Sequence, residues 1–464
     1  MGKYQTYPEY RDSEVNGLGT IPSHWEVMQL KRTVNGCVNG IWGSEPKKDG
    51  TDTIVLRVAD FDRPKLSLQE DGYTYRKIED KEKITRKLKR GDLLLEKSGG
   101  GEKTLVGQVV LFDKDFEAVT SNFVAKMTPN EGFNSRFLNY VFSRFYSDNI
   151  NYCSIKQNTG IQNLDSAAYL AEKFGFPLEE EQEKIANFLD HETTRIGALI
   201  EKQQQLIKLL KEKRQAVISQ VVTKGLDPET KMRESGIEWL GTVPEEWKIV
   251  PLKYLVIHKA GIQMGPFGGM LKDLEYSETG YKLYGQENTI SGDFTKGGRW
   301  LTKERYKELS NYKLKGGDIV LTRKGSLGKA RQVYKLETPG IIDSDTIRVR
   351  VDSLQLTSDF LSLLMHEAHY ISEQIMRMRR GSILPGLNTE TISNIKILLP
   401  LAKALQDELV VEVKRVIEFY DHALGKCLDK CELLSERRAA LISAAVTGKI
   451  DVRNWQANTV ECVV

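Results

Sequence analysis

The chain contains two copies of one sequence module, and this repeat limits its fold more than any other feature. Residues 18–31, LGTIPSHWEVMQLK, and residues 240–253, LGTVPEEWKIVPLK, are identical at seven of fourteen positions. Residues 209–227 match residues 433–451 at ten of nineteen positions. The two pairs occur in the same order, at offsets of 222 and 224 residues. Such agreement indicates that a unit of about half the chain was duplicated.

A third pair of matching segments lies between the other two. Residues 90–100 are RGDLLLEKSGG and residues 316–326 are GGDIVLTRKGS, at an offset of 226 residues. A period this long is far beyond the 20–50 residues of a solenoid, so two tandem copies of one module are predicted. With 464 residues, each copy has enough chain for its own buried core.

Each copy combines short β-type runs with one long helical pattern. The runs are bounded by Gly, Asp and Asn turns, as is typical of a small, irregular β-rich domain. The predicted strands lie within 53–58, 92–97, 107–112 and 122–127 of the first copy and within 317–322, 330–335 and 345–351 of the second. We therefore expect an α+β fold with two tandem, pseudo-symmetric β-rich domains, each followed by a long helix.

The two helical patterns each run for more than 40 residues, from Glu179 to Val222 and from Leu405 to Val446. Helices of that length extend about 60 Å, and their narrow apolar stripes need a partner helix. The duplicate supplies one, so we predict an antiparallel coiled coil, the alternative being that each helix packs on its own domain. The predicted pairing positions are Leu189, Ile196, Leu199, Leu206, Leu210, Val217, Leu409, Val413, Val416, Tyr420, Leu434 and Leu441.

The repeat also predicts where the domains begin and end. The predicted segments are an opening segment at 1–20, a first β-rich domain at 21–178, a central helix at 179–222, a linker with the repeated opening segment at 223–243, a second β-rich domain at 244–401, a distal helix at 402–447 and a tail at 448–464.

The composition is that of an ordinary globular protein. Apolar residues make up 40% and charged residues 28% of the chain, which excludes wholesale disorder or a collagen. Five scattered cysteines favour a reducing cytosol, and the N-terminal residues lack the apolar core of a secretion signal, so we expect a cytoplasmic protein. The formal net charge of +3 allows a nucleic-acid partner without arguing for one.

Enzyme signatures are mostly missing. The Gly-rich stretches SGGGEKT at 98–104 and GSLGKA at 325–330 lack the spacing of a phosphate-binding loop. No (N/D)PP(Y/F) tetrapeptide occurs, the motif with which amino-methyltransferases hold a flipped base. His366 and His369 lack zincin spacing, and Cys427 and Cys431 fit small apolar positions of a helical seam. We therefore expect no catalysis by the chain itself, no catalytic residues and no metal site.

Binding chemistry is concentrated in the polar, Gly-bearing turns of both copies. Lys, Arg, Ser, Thr and exposed N–H groups suit phosphates, whereas Arg, Asn and Gln suit base edges. Candidate DNA-binding residues of the first copy are Lys97, Ser98, Lys103, Thr104, Lys156, Gln157, Asn158, Thr159, Gln162 and Asn163. Those of the second copy are Gln263, Gln286, Asn288, Arg323, Lys324, Ser326, Lys329, Arg377, Arg379, Arg380 and Ser382. Any one of these turns could instead be an ordinary solvated loop.

The order and content of these motifs resemble the specificity subunit of type I restriction–modification systems. The resemblance rests on ESGIEWLGTVPEEWKIVPLK and its first-copy equivalent, on GGDIVLTRKGSLGKA, on FPLEEEQEKIANFLD and on the ends KRQAVISQVVTKGLD and RRAALISAAVTGKID. It covers nearly the whole chain. The second copy departs locally, with LLPLAKALQDELVVEV at 398–413 where the first copy has FPLEEEQEKIANFL.

The resemblance implies a non-catalytic subunit whose two target-recognition domains each bind one half of a bipartite double-stranded DNA sequence. It implies that the paired helices set the gap between the halves and dock two modification subunits, which methylate adenine N6 with S-adenosylmethionine. Restriction subunits that use ATP and Mg²⁺ for translocation and cleavage are implied as further partners. Because the two copies diverge strongly between their matches, we expect an asymmetric target.

Two other classes of function remain open at this point. One is a protein-interaction scaffold in which the same two domains and helices gather proteins without contacting DNA. The other is a self-sufficient methyltransferase, against which the missing NPPY-type motif argues. Sequence-specific DNA binding by the assembled complex would separate the first reading from the scaffold.

Overall fold

A computed structural model describes residues 4–100, 104–158, 160–267, 270, 276–277, 279–323, 329–379 and 387–457. The chain divides into two compact units, of which the first is Met1–Gln204 with Leu428–Val464 and the second is Gln205–Cys427. The boundary crosses both long helices, so each unit holds one β-rich domain and a part of each long helix.

The first unit contains sixteen strands among the residues that are described. They are β1 (Tyr10–Asp12), β2 (Thr20–Pro22), β3 (Glu26–Gln29), β4 (Val38–Asn39), β5 (Thr53–Leu56), β6 (Phe61–Asp62), β7 (Ser67–Leu68), β8 (Thr74–Arg76), β9 (Leu93–Glu96), β10 (Ser98–Gly99), β11 (Val109–Leu111), β12 (Ala118–Thr120), β13 (Val124–Met127), β14 (Ile155–Asn158), β15 (Ile161–Leu164) and β16 (Lys173–Phe176). Its helices are α1 (Asp80–Lys83), α2 (Ser135–Ser147), α3 (Ser166–Leu170) and the first part of α4 (Glu179–Lys224).

The second unit repeats this arrangement. Its strands are β17 (Met232–Glu234), β18 (Thr242–Pro244), β19 (Lys248–Pro251), β20 (Ile262–Met264), β21 (Tyr276–Ser277), β22 (Tyr281–Tyr284), β23 (Trp300–Leu301), β24 (Ile319–Thr322), β25 (Ala330–Gln332), β26 (Gly340–Ile342), β27 (Thr346–Val349) and β28 (Lys396–Leu399). Its helices are α5 (Gln286–Ser291), α6 (Lys303–Glu308), α7 (Ser358–Glu367), α8 (His369–Arg379), α9 (Thr389–Ser393) and most of α10 (Lys403–Val446).

The sheets of the two units follow the same order. A four-stranded antiparallel sheet runs β11-β9-β13-β4 in the first unit and β25-β24-β27-β20 in the second. A parallel pair, β5 with β12, has its counterpart in β22 with β26. All seven predicted strands are present in these sheets, and the α+β fold with two pseudo-symmetric domains is confirmed.

A buried glutamine ties the start of each long helix to its domain. Gln182 of α4 accepts a hydrogen bond from the Asn134 N–H (3.0 Å) and donates to the Pro177 carbonyl (2.9 Å). In α10, Gln406 accepts from the Thr357 N–H (2.9 Å) and donates to the Pro400 carbonyl (3.0 Å). The segment LLPLAKALQDELVVEV at 398–413, which differs from its first-copy equivalent, therefore keeps the glutamine that fastens the start of the helix.

Within the first unit, the start of α4 packs against the end of α10. Ile185, Leu189 and Ile196 share one apolar core with Leu441 and Ala445. Apolar side chains at every third or fourth position form one stripe on each helix, and burying these two stripes together removes both from water.

Within the second unit, the opposite ends of the two helices meet. Ile218 and Val222 of α4 share a core with Leu409 and Val413 of α10. The Arg214 Nε atom also lies 3.2 Å from a carboxylate oxygen of Asp421. Because the start of one helix meets the end of the other in each unit, α4 and α10 run antiparallel.

The burial of side chains along α4 contradicts two of the predicted pairing positions. Leu199 and Leu206 are 42% and 41% exposed, whereas Ile200, Gln203 and Ile207 are half-buried. The steps from Ile196 along the buried stripe fall at 200, 203 and 207, so Leu199 and Leu206 lie one position off it. The other ten pairing positions are buried or half-buried: Leu189, Ile196, Leu210, Val217, Leu409, Val413, Val416, Tyr420, Leu434 and Leu441.

The end of each long helix packs on an opening segment. After α4, Gly225 adopts φ +83°, and a Cβ built there would lie 3.4 Å from the Trp247 ring. After α10, Gly448 adopts φ +70°, and its Cβ would lie 2.4 Å from Pro22. The Gly448 carbonyl also accepts a hydrogen bond from the Tyr10 hydroxyl (3.0 Å). The end of the distal helix thus packs on the opening segment of the first repeat, and the end of the central helix packs on the opening segment of the second.

Candidate nucleic-acid interface

In the first unit, β10, β15 and β14 form a small sheet that carries most of the candidate residues. Its register places Ser98 opposite Asn163 and Asn163 opposite Lys156, so these three side chains form one row across one face. The Ser98 hydroxyl donates to the Asn163 side-chain oxygen (2.6 Å). We call Ser98, Asn163 and Lys156 the polar row.

The segment from Lys156 to Asn163 is a hairpin rather than the loop expected from its polar sequence. Gly160 supplies the positive φ (+83°) that its turn needs. Gln162 and Leu164 point into the core, whereas Ile161 and Asn163 are exposed. This alternation gives a polar segment one buried and one exposed face.

Two of the candidate side chains of the first unit hold the sheet in place. The Gln162 side-chain oxygen accepts from the Val106 N–H (3.1 Å), and Gln162 is only 5% exposed. The Lys97 ammonium donates to the side-chain oxygen of Asn39 (2.7 Å). Gln162 is therefore better placed to support the polar row than to contact a partner. Gln157 and Thr104 are exposed, and Asn158 lies opposite Ile161.

Two carboxylates stand beside this surface. Asp165 caps α3, and its carboxylate lies 2.8 Å from the Lys156 ammonium. The hydrogen bond from Lys156, followed in size by the one from the Ala168 N–H, holds the pKa of Asp165 below its usual range. Glu96, at the end of β9, is buried, and this burial raises the pKa of its carboxyl although Arg63 lies 2.8 Å away and opposes the shift. Lys156 is thus exposed and paired with a charged carboxylate.

In the second unit, Arg323 directly follows β24 and Lys329 directly precedes β25, at the end where the chain connects these two antiparallel strands. The Thr322 N–H donates to the Lys329 carbonyl (3.0 Å), and Lys329 is exposed. The Arg323 guanidinium donates to the Ser344 carbonyl (3.3 Å). Arg323 and Lys97 occupy equivalent places, because the Leu387 N–H donates to the Arg323 carbonyl (3.0 Å) as the Leu164 N–H does to the Lys97 carbonyl (2.7 Å).

The other candidates of the second unit are not brought to one place in the part that is described. Asn288 is 1% exposed, and its amide holds the Gly285 N–H and two carbonyls, so a structural role accounts for it. Gln286 begins α5, and Gln263 on β20 donates to the Met264 carbonyl (3.0 Å). Arg377 on α8 is half exposed and lies 3.7 Å from Glu373.

Several predicted residues lie outside the described part of the chain. They are Lys103, Thr159, Lys324, Ser326, Arg380 and Ser382. Arg379 is described only as the last residue of α8.

Sequence reasoning missed residues whose role depends on the fold. Gln182 and Gln406 had a findable signal, since each follows a proline at nearly the same distance in both repeats. Phe123, whose backbone is bonded to Ser98 of the polar row, and Trp42 had no signal, because nothing in the sequence says that the first is exposed and the second half-exposed.

Neither a metal site nor a membrane span is found among the described residues. No group of three or more His, Cys, Asp or Glu side chains there is placed to hold a metal ion. No helix of that part is both long and apolar enough to cross a membrane. The scattered cysteines that are described, including Cys427 and Cys431 on the α10 seam, are free thiols.

Comparisons with known proteins agree with this architecture. The family model for the type I restriction modification DNA specificity domain matches residues 22–209. The type I restriction enzyme MjaVIII specificity subunit of Methanocaldococcus jannaschii is 26% identical over 471 residues, which cover 97% of this chain and 98% of the relative.

Two solved structures share the fold. A chain from work on complex assembly and conformational transition of the type I R-M system has a TM-score of 0.67 at 14% identity, covering 92% of this chain and 98% of its own length. The HsdS subunit from Thermoanaerobacter tengcongensis has a TM-score of 0.52 at 15% identity, with 93% and 98% covered. Residues 22–209 thus match the type I restriction modification DNA specificity domain, and over nearly its whole length the chain is similar to a type I specificity subunit and shares the fold of an HsdS subunit.

Proposed function

We propose that this chain selects the DNA target of a type I restriction–modification complex. Each unit binds one half of an asymmetric bipartite sequence in double-stranded DNA. The observation that carries the proposal is the equivalent placement of Lys97 and Arg323, since both repeats set a basic residue at the end of the same strand and hold its carbonyl in the same way. Basic residues position a protein on phosphates, while neighbouring amide and hydroxyl groups recognise bases.

The long helices supply the second part of the proposed function. They are antiparallel and continuous over 46 and 44 residues, which makes them suited to set the gap between the two half-sites and to dock two modification subunits. Methylation of adenine N6 with S-adenosylmethionine, and cleavage with ATP and Mg²⁺ where restriction subunits join, belong to those partners in this proposal. The complex is expected in the cytoplasm, where the DNA is.

The primary test is methylome sequencing of a host that expresses this chain with its modification subunit. The control host carries the modification subunit alone. We expect a new bipartite motif with N6-methyladenine in each half only when both chains are present. Assembly of the two chains without any new motif would contradict the proposal and favour a protein-interaction scaffold.

A second experiment tests the role of the helices. Inserting one helical turn of four residues into α4 and four into α10 at matching places should lengthen the gap of the motif and leave both half-sites unchanged. A change in either half-site would contradict the proposed division of labour between domains and helices.

A further inference from the structure

The turn between β12 and β13 presents an aromatic ring beside the polar row. The Val124 N–H donates to the Ser121 carbonyl (3.0 Å), which leaves Phe123 near the tip of a tight turn. The Phe123 carbonyl accepts hydrogen bonds from the Lys97 N–H (2.8 Å) and the Ser98 N–H (3.2 Å). The backbone of Phe123 is therefore fixed to the strand that carries Ser98, while its side chain is 53% exposed.

Phe123 forms one wall of an open cleft of about 410 Å³. Trp42 also lines the cleft, and the Arg76 guanidinium covers the Trp42 ring at 4.5 Å from its centroid. Val58 and Ala59 add apolar surface. Arg57, the charged residue of the lining, is paired with Asp60 (3.0 Å). The cleft is thus mainly apolar, with its one charge neutralised within the same unit.

The cleft adjoins the surface proposed to bind DNA through the backbone of Phe123. Lys97 and Ser98 are bonded through their backbone to Phe123, and Ser98 bonds to Asn163 of the polar row. Donors and acceptors of that row suit the polar edges of bases in the major groove. The one apolar group that base edges present there is the 5-methyl group of thymine, and an exposed aromatic ring is a partner for it.

We propose that Phe123 and its cleft recognise the 5-methyl group of a thymine in the half-site bound by the first unit. The inference rests on the proposed function and names one of its specificity contacts. The cleft is wider than a methyl group, so it admits the edge of the base pair with the methyl group against the Phe123 ring. Thymine is preferred over cytosine because cytosine has only hydrogen at that carbon.

The second unit lacks this contact. Its equivalent turn is closed by the Thr346 N–H, which donates to the Asp343 carbonyl (3.2 Å). Asp345 stands where the first unit has Phe123, and its carbonyl accepts from the Arg323 N–H (3.0 Å). A carboxylate offers no apolar surface to a methyl group, so recognition of the methyl group at this position is confined to the first unit.

The first experiment compares the methylated motif of the complex with that of a Phe123→Ala complex. We expect one thymine position in one half-site to become tolerant of other bases, with the other half unchanged. Tyr75→Ala is the matched control, because Tyr75 is also 53% exposed in the same unit but does not line the cleft. An unaltered motif in the Phe123→Ala complex would overturn the inference.

The second experiment leaves the protein unchanged and alters the DNA. Deoxyuridine, which lacks the methyl group, replaces each thymine of the half-site in turn, and binding of the wild-type complex is measured. One position should weaken binding roughly fourfold, the value of one buried methyl group. The Phe123→Ala complex should not distinguish thymine from deoxyuridine there.

The outcomes separate this inference from the function on which it rests. If the wild-type complex binds its motif and no deoxyuridine substitution weakens binding, methyl recognition is wrong and the proposed function stands. If the wild-type complex shows no motif at all, the proposed function fails and the inference fails with it.

Discussion

The two repeats share the buried glutamine that fastens each long helix and differ at an equivalent turn next to the surface proposed to bind DNA. Gln182 and Gln406 make equivalent hydrogen bonds at equivalent places in the two halves. Phe123 and Asp345 also occupy equivalent places, on turns with the same backbone bonds, yet one is a hydrophobic ring and the other a carboxylate. Equivalent turns of the two repeats thus carry different side chains, which fits the proposal that the two domains bind unlike half-sites.

Removing either buried glutamine should have the largest effect and should affect the two halves alike. Gln182→Ala and Gln406→Ala each remove the side chain that bonds one backbone N–H and two backbone carbonyls, at buried or partly buried sites, which should lower the free energy of unfolding by about 2–4 kcal/mol. Calorimetric unfolding measures this. Gln205→Ala, at an exposed position of α4, is the control and should change stability by less than about 0.5 kcal/mol. A large loss of stability in only one of the two variants would contradict the equivalent roles of Gln182 and Gln406.

The two repeats also differ at one buried position, Glu181. In the first repeat Glu181 is 8% exposed and accepts hydrogen bonds from the Tyr7 hydroxyl (2.7 Å) and the Trp25 indole N–H (2.9 Å). The second repeat has Leu405 at this place. We expect Glu181→Gln to destabilise the chain by about 1–2 kcal/mol, since a neutral amide is the weaker acceptor. Glu180→Gln, one residue earlier and exposed, is the matched control; equal losses for both variants would contradict a special role for Glu181.

The basic residues at the two hairpins should affect DNA binding one half-site at a time. Lys97→Ala and Arg323→Ala each remove one cationic side chain, so affinity should fall by roughly three- to tenfold and the salt dependence should decrease by about one phosphate contact. Binding is measured on DNA with one half-site scrambled, then the other. Lys48→Ala and Lys335→Ala, at exposed lysines outside the proposed surfaces, should leave affinity nearly unchanged.

The smallest expected effect concerns the carboxylate beside Lys156. The second repeat caps its equivalent helix with Asn388 where the first has Asp165. Asp165→Asn should keep the cap, because both residues are good caps, and free Lys156 for phosphate. We expect DNA affinity to rise by about two- to threefold at low salt, an effect that fades as salt screens it.

The effect of Asp165→Asn should not depend on pH over the neutral range. The hydrogen bond from Lys156 lowers the pKa of Asp165, so its carboxylate stays charged there and is lost only as pH falls through that lowered value. Asp12→Asn, at an exposed carboxylate of β1, provides the control. A fall in affinity in the Asp165→Asn complex would show that Lys156 needs its partner for orientation.

The architecture could be predicted from the sequence alone. The repeat indicates the duplication, and the spacing of apolar residues indicates which positions are buried. The seven predicted strands are present, and α4 and α10 run from Glu179 to Lys224 and from Lys403 to Val446. It was harder to predict which residues of α4 face the partner helix. Leu199 and Leu206 are as apolar as their neighbours, and only the structure shows that they face water.

The surface proposed to bind DNA was harder to predict than the fold. The segment 156–163 is polar enough to indicate a loop, yet its alternation and Gly160 make it a hairpin. Phe123 is an apolar residue between two strands, and sequence reasoning assigns such residues to a core. Whether a turn tip is covered depends on residues distant in sequence, such as Lys97, which is bonded to the Phe123 backbone, and Trp42, which lines the same cleft.

The closing of α10 onto the first repeat has a consequence for the order of folding. The second unit is one continuous segment, whereas the first needs Leu441 and Ala445, which follow the entire second unit in the chain. A ribosome therefore completes the second unit first, although it begins with the first. Until the last helix emerges, the apolar face of Ile185 and Leu189 waits without its partner, and this is the stage at which a nascent chain most needs protection from aggregation.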